Sequence, residues 1–271
     1  ERIGNDGRDG FYKGETARLL AAEMVRGGGI ITLEDLARYQ ARERTPIKGT
    51  YRGYDIISMP PPSSGGIAMV EMLNILEGFD LASMGHNSAE AIHLMTEAKK
   101  LAFADRDRYV ADADANTLPT AELISKAYAE RRRALIDRSR ASGTVRAGDP
   151  TDNAETVYLT VVDKDRNAVS LIESIFGGFG SKVVPADLGF ALQNRGSGFS
   201  LEPGHLNSLE PHKRSLHTNM PAFVTKDGKP WLSFGVMGGD MQPQGHTQVL
   251  LNIIDFGMNL QEAGDAARVR H

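Results

Sequence analysis

Between Thr156 and Gly180 the chain reads TVYLTVVDKDRNAVSLIESIFGGFG, two β-prone runs parted by a polar break. Residues 156–162 are dense in β-branched and aromatic side chains, which suit a pleated, half-buried surface. Residues 163–167 carry turn chemistry. Residues 168–176 form a second strand, after which Gly177, Gly178 and Gly180 loosen the backbone. The pattern predicts an antiparallel hairpin, with Thr156 opening one strand and Ser174 near the end of the other. The two hydroxyls then fall at the same end of the pair and can meet. Taken alone, such a pair is ordinary sheet decoration.

The rest of the chain supplies helices and a second set of strands. Residues 11–26 have helical spacing, with Ala17, Leu20, Ala21, Met24 and Val25 on one side, and Gly27 to Gly29 end that helix. Thr32 and Asp35 form the ends of a capping box. Residues 47–58 read as a hairpin around Gly53. The run PPPSSGG at 60–66 lacks the Gly-Lys-Ser/Thr ending of a phosphate loop, so nucleotide binding is discarded. It reads instead as a rigid entry with a Ser N-cap for a helix over 67–76. Residues 88–109 give the longest helix, with Ile92, Met95, Ala98, Ala102 and Phe103 as its stripe. His93, Lys99 and Lys100 lie off the stripe and are expected in solvent. Residues 121–140 suggest a helix or helix pair whose Arg131–Arg133 run is an exposed face or an anion site. Residues 142–155 are polar and rich in turn formers, as a mobile linker would be. Further on, 189–192 resembles a strand, and 222–225 with 231–236 flank an Asp227-Gly228 turn as a second hairpin. Gly238 and Gly239 follow, then helices over 242–256 and 260–269. Hairpins with helices grouped between them imply an α+β layered fold.

Composition excludes more than it assigns. A chain of 271 residues, 41% hydrophobic and 24% charged, can bury a large core as one domain or two. Net charge is −4, from 31 Lys+Arg against 35 Asp+Glu, so no global positive field favours nucleic acid. The absence of cysteine removes disulfides, thiol nucleophiles and thiolate metal sites. It suits the cytosol and the periplasm alike, so the compartment is unknown. No apolar run is long enough for a membrane span, and ERIGNDGRDG has no signal-peptide pattern. Seven histidines are present, yet none sits in a Ser/His/Asp signature or a His-Glu-x-x-His zinc motif.

The stretch ETVYLTVVDKDRNAVS resembles the start of the small subunit in the gamma-glutamyltranspeptidase family of N-terminal nucleophile hydrolases. Family-like blocks recur at YRGYDIISMPPPSSGG, KRSLHTNMPAF and WLSFGVMGG. The resemblance implies a four-layer αββα sandwich, incomplete at both ends. It divides the chain into 1–155, the C-terminal part of a large-subunit region, and 156–271, the N-terminal part of a small-subunit region, together one interleaved domain. Family members are made as one chain and cut themselves before a Thr, so Glu155–Thr156 would be the bond broken. No cofactor or metal is implied. The partners implied are a small amide substrate and the two subunits of one precursor, with higher oligomers left open.

That resemblance gives the residues roles. Freed at its amine, Thr156 would carry a base with a reference pKa of about 7.7–8.0 beside its own hydroxyl. Ser174, 18 positions on, would orient the nucleophile. Gly238 and Gly239, between strand and helix, would offer converging N–H groups as an oxyanion hole. A plain strand-to-helix turn and a backbone-satisfied Ser are the structural alternatives. The Ser63-Ser64 loop would stand at the edge of the substrate pocket.

The sequence also departs from the transpeptidases. Where these hold a substrate's α-amino and α-carboxylate groups, this chain has Phe176, Arg195, Gly198, His217 and Thr218. The Asn amide and Asp carboxylate of the family pattern are gone, so nothing evident pairs with a glutamyl ammonium. Arg195 adds a planar cationic fork suited to a carboxylate, unless it serves a structural ion pair. The QNRG and HT patterns resemble the branch containing oxamate amidohydrolase and cephalosporin acylases. The leading expectation is a self-processing amidohydrolase for a small amide with an acidic acyl group. Gamma-glutamyl transfer or glutathione hydrolysis is the alternative, and an uncleaved, inactive binding protein is the third.

Overall fold

The computed structural model describes residues 1–143 and 154–271. In chain order these form α1 (Arg2–Asp6), α2 (Asp9–Tyr12), α3 (Gly14–Gly27), α4 (Leu33–Arg38), β1 (Ile47–Tyr51) and β2 (Tyr54–Ser58). Next come α5 (Gly65–Leu76), α6 (Leu81–Met84), α7 (Ala89–Tyr109), α8 (Thr120–Leu123) and α9 (Lys126–Arg133). Then follow β3 (Ala154–Val162), β4 (Ala168–Gly177), β5 (Ala222–Lys226), β6 (Lys229–Phe234), α10 (Met241–Ile254) and α11 (Leu260–Asp265). The architecture is mixed α/β with antiparallel sheets.

Strands β1, β2, β5 and β6 make a four-stranded sheet in that order. Pairing of β2 with β5 joins segments from either side of residue 155, with Ile56 opposite Val224. One face of this sheet packs on helices. Ile47, Tyr51, Ile56 and Val224 share a core with Leu73 and Leu76 of α5, Leu94 and Ala98 of α7, and Leu250 and Leu251 of α10. Every residue of α5 is buried, Glu71 and Asn74 included, so this mainly apolar helix is enclosed on all sides.

The β3–β4 hairpin reaches the same sheet through polar side chains. Tyr158 Oη lies 2.8 Å from both Ser170 Oγ and Ser233 Oγ. Ser170 Oγ donates to the Ala222 carbonyl at 3.1 Å. A Cβ on Gly235 would stand 2.2 Å from the Tyr158 ring, so glycine is what lets the ring settle there. Val157, Leu159, Val161, Val169 and Leu171 are exposed on the hairpin.

Several local expectations need correction. The first helix breaks at Lys13, which is extended, and Val25 is 85% exposed whereas Glu23 is buried. Lys99 and Lys100 are buried rather than solvated. Lys100 Nζ donates to Glu97 Oε1 at 2.7 Å and to the Ser142 carbonyl at 3.1 Å, and Lys99 Nζ lies 4.3 Å from the centre of the Phe103 ring. Of the arginine run, Arg131 stays exposed with Glu122. Arg132 reaches Asp105 at 2.8 Å, and Arg133 donates to the Asn74 and Ile75 carbonyls at the end of α5. Residues 189–192 form no strand; Leu192 instead closes a loop through Val183 and Ser181. Ser64 occupies the N-cap position of α5 without capping it. The expected linker falls largely at 144–153, outside the described residues.

Other readings hold. The capping box of Thr32 and Asp35 is formed in full, as are both hairpin turns, with Arg52-Gly53 and Asp227-Gly228 at positive φ.

Candidate active site

Thr156 and Ser174 are direct register partners in the β3–β4 pair. Between Glu155 and Thr156 the register slips: Glu155 faces Phe176, so Ile175 is an extra residue on β4. Such bulges re-aim side chains and often flank active sites. Phe176, at the far side of the slip, holds φ at 75°, a left-handed conformation that is costly for a bulky side chain. Its N–H donates to Ser174 Oγ at 2.9 Å. Thr156 Oγ1 is buried and finds no hydrogen-bond partner among the described residues. The two hydroxyls are thus neighbours, but no bond between them uses Thr156 Oγ1.

Asn194, 17 positions past Gly177, stitches its loop to the end of β4. Its N–H donates to the Ile175 carbonyl at 3.2 Å, and its Oδ1 accepts from Gly177 N at 2.8 Å. That anchor delivers Arg195, whose guanidinium carbon lies 5.3 Å from the Phe176 ring centre. Arg195 Nη2 donates to Asn219 Oδ1 at 2.8 Å, whereas Nη1 is buried without a partner. Burial alone pulls its pKa down, with no carboxylate to offset it. The residue is half-buried, and a buried donor left unspent is costly unless an acceptor arrives.

A cavity of about 150 Å³ opens at this point, and it gathers all five residues singled out for substrate binding. Phe176, Arg195, Gly198, His217 and Thr218 line it, together with Leu216, Arg106 and Asp240. His217 is pushed down to about 4 by burial and then by the Arg195 charge, so its imidazole is neutral near pH 7. Its Nδ1 is buried and unpartnered. Gly198 is there for closeness, since a Cβ would lie 2.9 Å from the Leu216 carbonyl.

The Pro-Ser loop holds this wall from behind. Ser64 N and Oγ both donate to the His217 carbonyl, at 2.9 and 3.0 Å. Ser63 Oγ donates to the Asn219 carbonyl. The hydroxyl assigned from sequence to a helix cap is therefore spent on the segment that carries His217 and Asn219.

Gly238 and Gly239 sit between β6 and α10 at φ of 107° and 55°, both positive. Their carbonyls accept the first-turn N–H groups of Met241 and Gln242. Neither glycine N–H donates to another group among the described residues. The pair stands just before the 14-residue α10, a position where N–H groups can favour an anion. The pair is tied to the hairpin through Gly235, three residues earlier, on which Tyr158 packs.

Sequence reasoning missed four residues here. Asn194 stood inside a motif already noted, but its two bonds depend on the loop folding back on β4. Asn219 lay in KRSLHTNMPAF without a role. Arg106 and Asp240 are 134 positions apart, and Arg106 Nη1 donates to Asp240 Oδ1 at 2.6 Å. No spacing rule links two such residues. The only local hint was a Gly-Gly pair followed by an acid at the start of a helix.

The family model described as Gamma-glutamyltranspeptidase matches residues 1–271. The Glutathione hydrolase proenzyme of Escherichia coli K12 is 44% identical over 285 residues, covering 100% of this chain and 49% of the relative. The Acylase ACY 1 proenzyme of Pseudomonas sp. SE83 is 40% identical over 267 residues, covering 98% of this chain and 48% of the relative. Among solved structures, the cephalosporin acylase from Bacillus halodurans superposes with a TM-score of 0.89 at 44% identity, over 98% of this chain and 48% of its own. The chain thus spans about half the length of the curated relatives it matches. With the match running through every described element, the chain belongs to the gamma-glutamyltranspeptidase family.

Proposed function

We propose that the full protein is a self-processing amidohydrolase that uses Thr156 to cleave a small amide bearing an acidic acyl group. The observation that carries this reading is Arg195: a half-buried guanidinium whose buried Nη1 is unspent, with no carboxylate partner among the described residues and a cavity in front of it. A carboxylate on the acyl group would take that donor and neutralise the charge. Phe176 and neutral His217 would enclose the acyl chain between them.

The chemistry then follows from one hydroxyl and one amine. In the intact chain the Thr156 nitrogen is an amide and cannot serve as a base. After scission of the Glu155–Thr156 bond it becomes an α-amine, a large fraction of which is neutral near physiological pH. That amine would take the Oγ1 proton, directly or through water, as Oγ1 attacks the substrate carbonyl carbon. Gly238 and Gly239 would donate to the oxyanion. Collapse would expel the amine product with the proton and leave an acyl-Thr156 ester for water to cleave. Ser174 would orient Oγ1, a task that its register position suits.

Two broader elements belong to the same proposal. Relatives bearing the word proenzyme support large and small chains from one precursor. A four-layer αββα arrangement would make the β3–β4 hairpin part of a second sheet, stacked on the four-stranded one.

A second reading, glutathione hydrolysis or gamma-glutamyl transfer, is favoured by the 44% identity to the Escherichia coli glutathione hydrolase proenzyme. Intact mass spectrometry of the full-length protein beside its Thr156→Ala variant tests the class. Scission between 155 and 156 is expected in the wild type alone, with turnover in the variant lower by on the order of 10⁴-fold or more. Glutaryl and gamma-glutamyl anilides then separate the two readings. A clear gamma-glutamyl preference would overturn the first.

A further inference from the structure

Asp240 is a carboxylate in the very cavity where the sequence offered nothing to meet a substrate ammonium. It follows Gly239 directly, and its side chain is 34% exposed, so one oxygen remains open to the cavity. Its Oδ1 accepts from Arg106 Nη1 at 2.6 Å. Arg106 comes from the last turn of α7 and is buried, with its guanidinium carbon 4.1 Å from the centre of the Phe103 ring and a second bond, at 2.7 Å, to Asp107. Lys99 shares that ring from 4.3 Å.

The charges in this corner balance: Lys99 and Arg106 stand against Asp107 and Asp240. Arg195 is left as the cavity cation without a carboxylate among the described residues. An acyl group with one carboxylate completes that balance. An amino acid zwitterion would bring in an ammonium for which Asp240, the carboxylate among the described lining residues, is already paired with Arg106.

We infer that Arg106 determines acyl specificity by occupying Asp240, so that the cavity rejects an α-ammonium although a carboxylate lines it. This rests on the amidohydrolase reading above. Arg106 acts through Asp240 and is a positioning residue; Asp240 is the group that faces the acyl chain.

The test is a double-mutant cycle in the processed full-length enzyme, read as the ratio of kcat/KM for gamma-glutamyl over glutaryl p-nitroanilide. Arg106→Gln frees Asp240 and should raise the ratio about 10-fold or more, the worth of one charge-assisted hydrogen bond. Asp240→Asn unmasks Arg106 and should move the ratio the other way, by about 3-fold or more in favour of glutaryl. In the Asp240→Asn background, adding Arg106→Gln should no longer raise the ratio above that of the wild type. Arg106→Lys, which keeps the charge, should stay near the wild-type ratio.

A ratio unmoved by Arg106→Gln, or an equal rise without the Asp240 carboxylate, overturns the inference. If Arg106→Gln fails to yield processed enzyme, Asp240→Asn decides alone, and an unchanged ratio is fatal. A wild type that prefers gamma-glutamyl anilide sinks both the amidohydrolase reading and this one. A glutaryl-preferring wild type with an insensitive ratio sinks only this one.

Discussion

The end of the β3–β4 hairpin and the cavity beside it are built in opposite ways. Thr156 and Ser174 meet through one hairpin, and their placement follows from strand spacing and a turn. The cavity is assembled from α7, the loop after β4, the 216–219 segment and the start of α10. The first region is a local motif, to which the proposal gives the reactive chemistry; the second, to which it gives selectivity, is made of partners that only folding brings together. Bond cleavage and substrate choice should therefore be separable by mutation.

The strongest way to break that separation is at the glycine turn, which belongs to the cleavage half. Gly238→Ala forces a side chain onto φ of 107° and within 3.2 Å of Met241 Cβ, and on the proposed mechanism it would take one oxyanion donor out of alignment. Steady-state kinetics should show kcat lower by about 10²–10³-fold with KM little changed. An equal loss in both parameters would mean that the turn serves binding instead.

Next in size is Arg195→Met, which keeps the stem over Phe176 and deletes the charge. KM for a glutaryl anilide should rise about 10–100-fold, whereas scission at 155–156, followed by mass spectrometry, should proceed as before. Loss of scission would join the two halves that the comparison holds apart.

The smallest effect is in pH. On the proposed mechanism the freed Thr156 α-amine would take up a proton as pH falls and cease to be a base, so kcat should drop roughly sevenfold between pH 7.5 and 6.5. His217, depressed to about 4, stays neutral over that range, and Arg195 stays charged. KM should accordingly be flat where kcat titrates. A KM that follows the same curve would assign the titration to the cavity.

The two halves also differ in how far they could be read from residues alone. The hairpin was legible because β-branched alternation, turn chemistry and glycine each act over a few positions, and the Thr32–Asp35 capping box was legible for the same reason. Lys99 and Lys100 were misplaced because their burial depends on Phe103, Glu97 and Ser142, not on their position around α7. Ser64 was misread because its hydroxyl found a carbonyl 153 positions away before it could cap a helix. Residues 189–192 have strand-like composition, yet a strand needs a neighbour, and here the neighbour is a short loop. Arg195 and His217 were picked out by resemblance; their unspent donors and shared cavity were visible only in three dimensions.

The pairing of β2 with β5 has a consequence for the two pieces that scission would leave. Each would own half of one sheet: the first keeps β1–β2, the second β5–β6, and apart from each other both would bare a row of unsatisfied N–H and C=O groups along the seam. Exposed seams of that kind recruit stray strands. Cutting the backbone therefore would not let the pieces go. An affinity tag on either one should retrieve both, and halves produced in separate cells should precipitate where halves produced together remain dissolved.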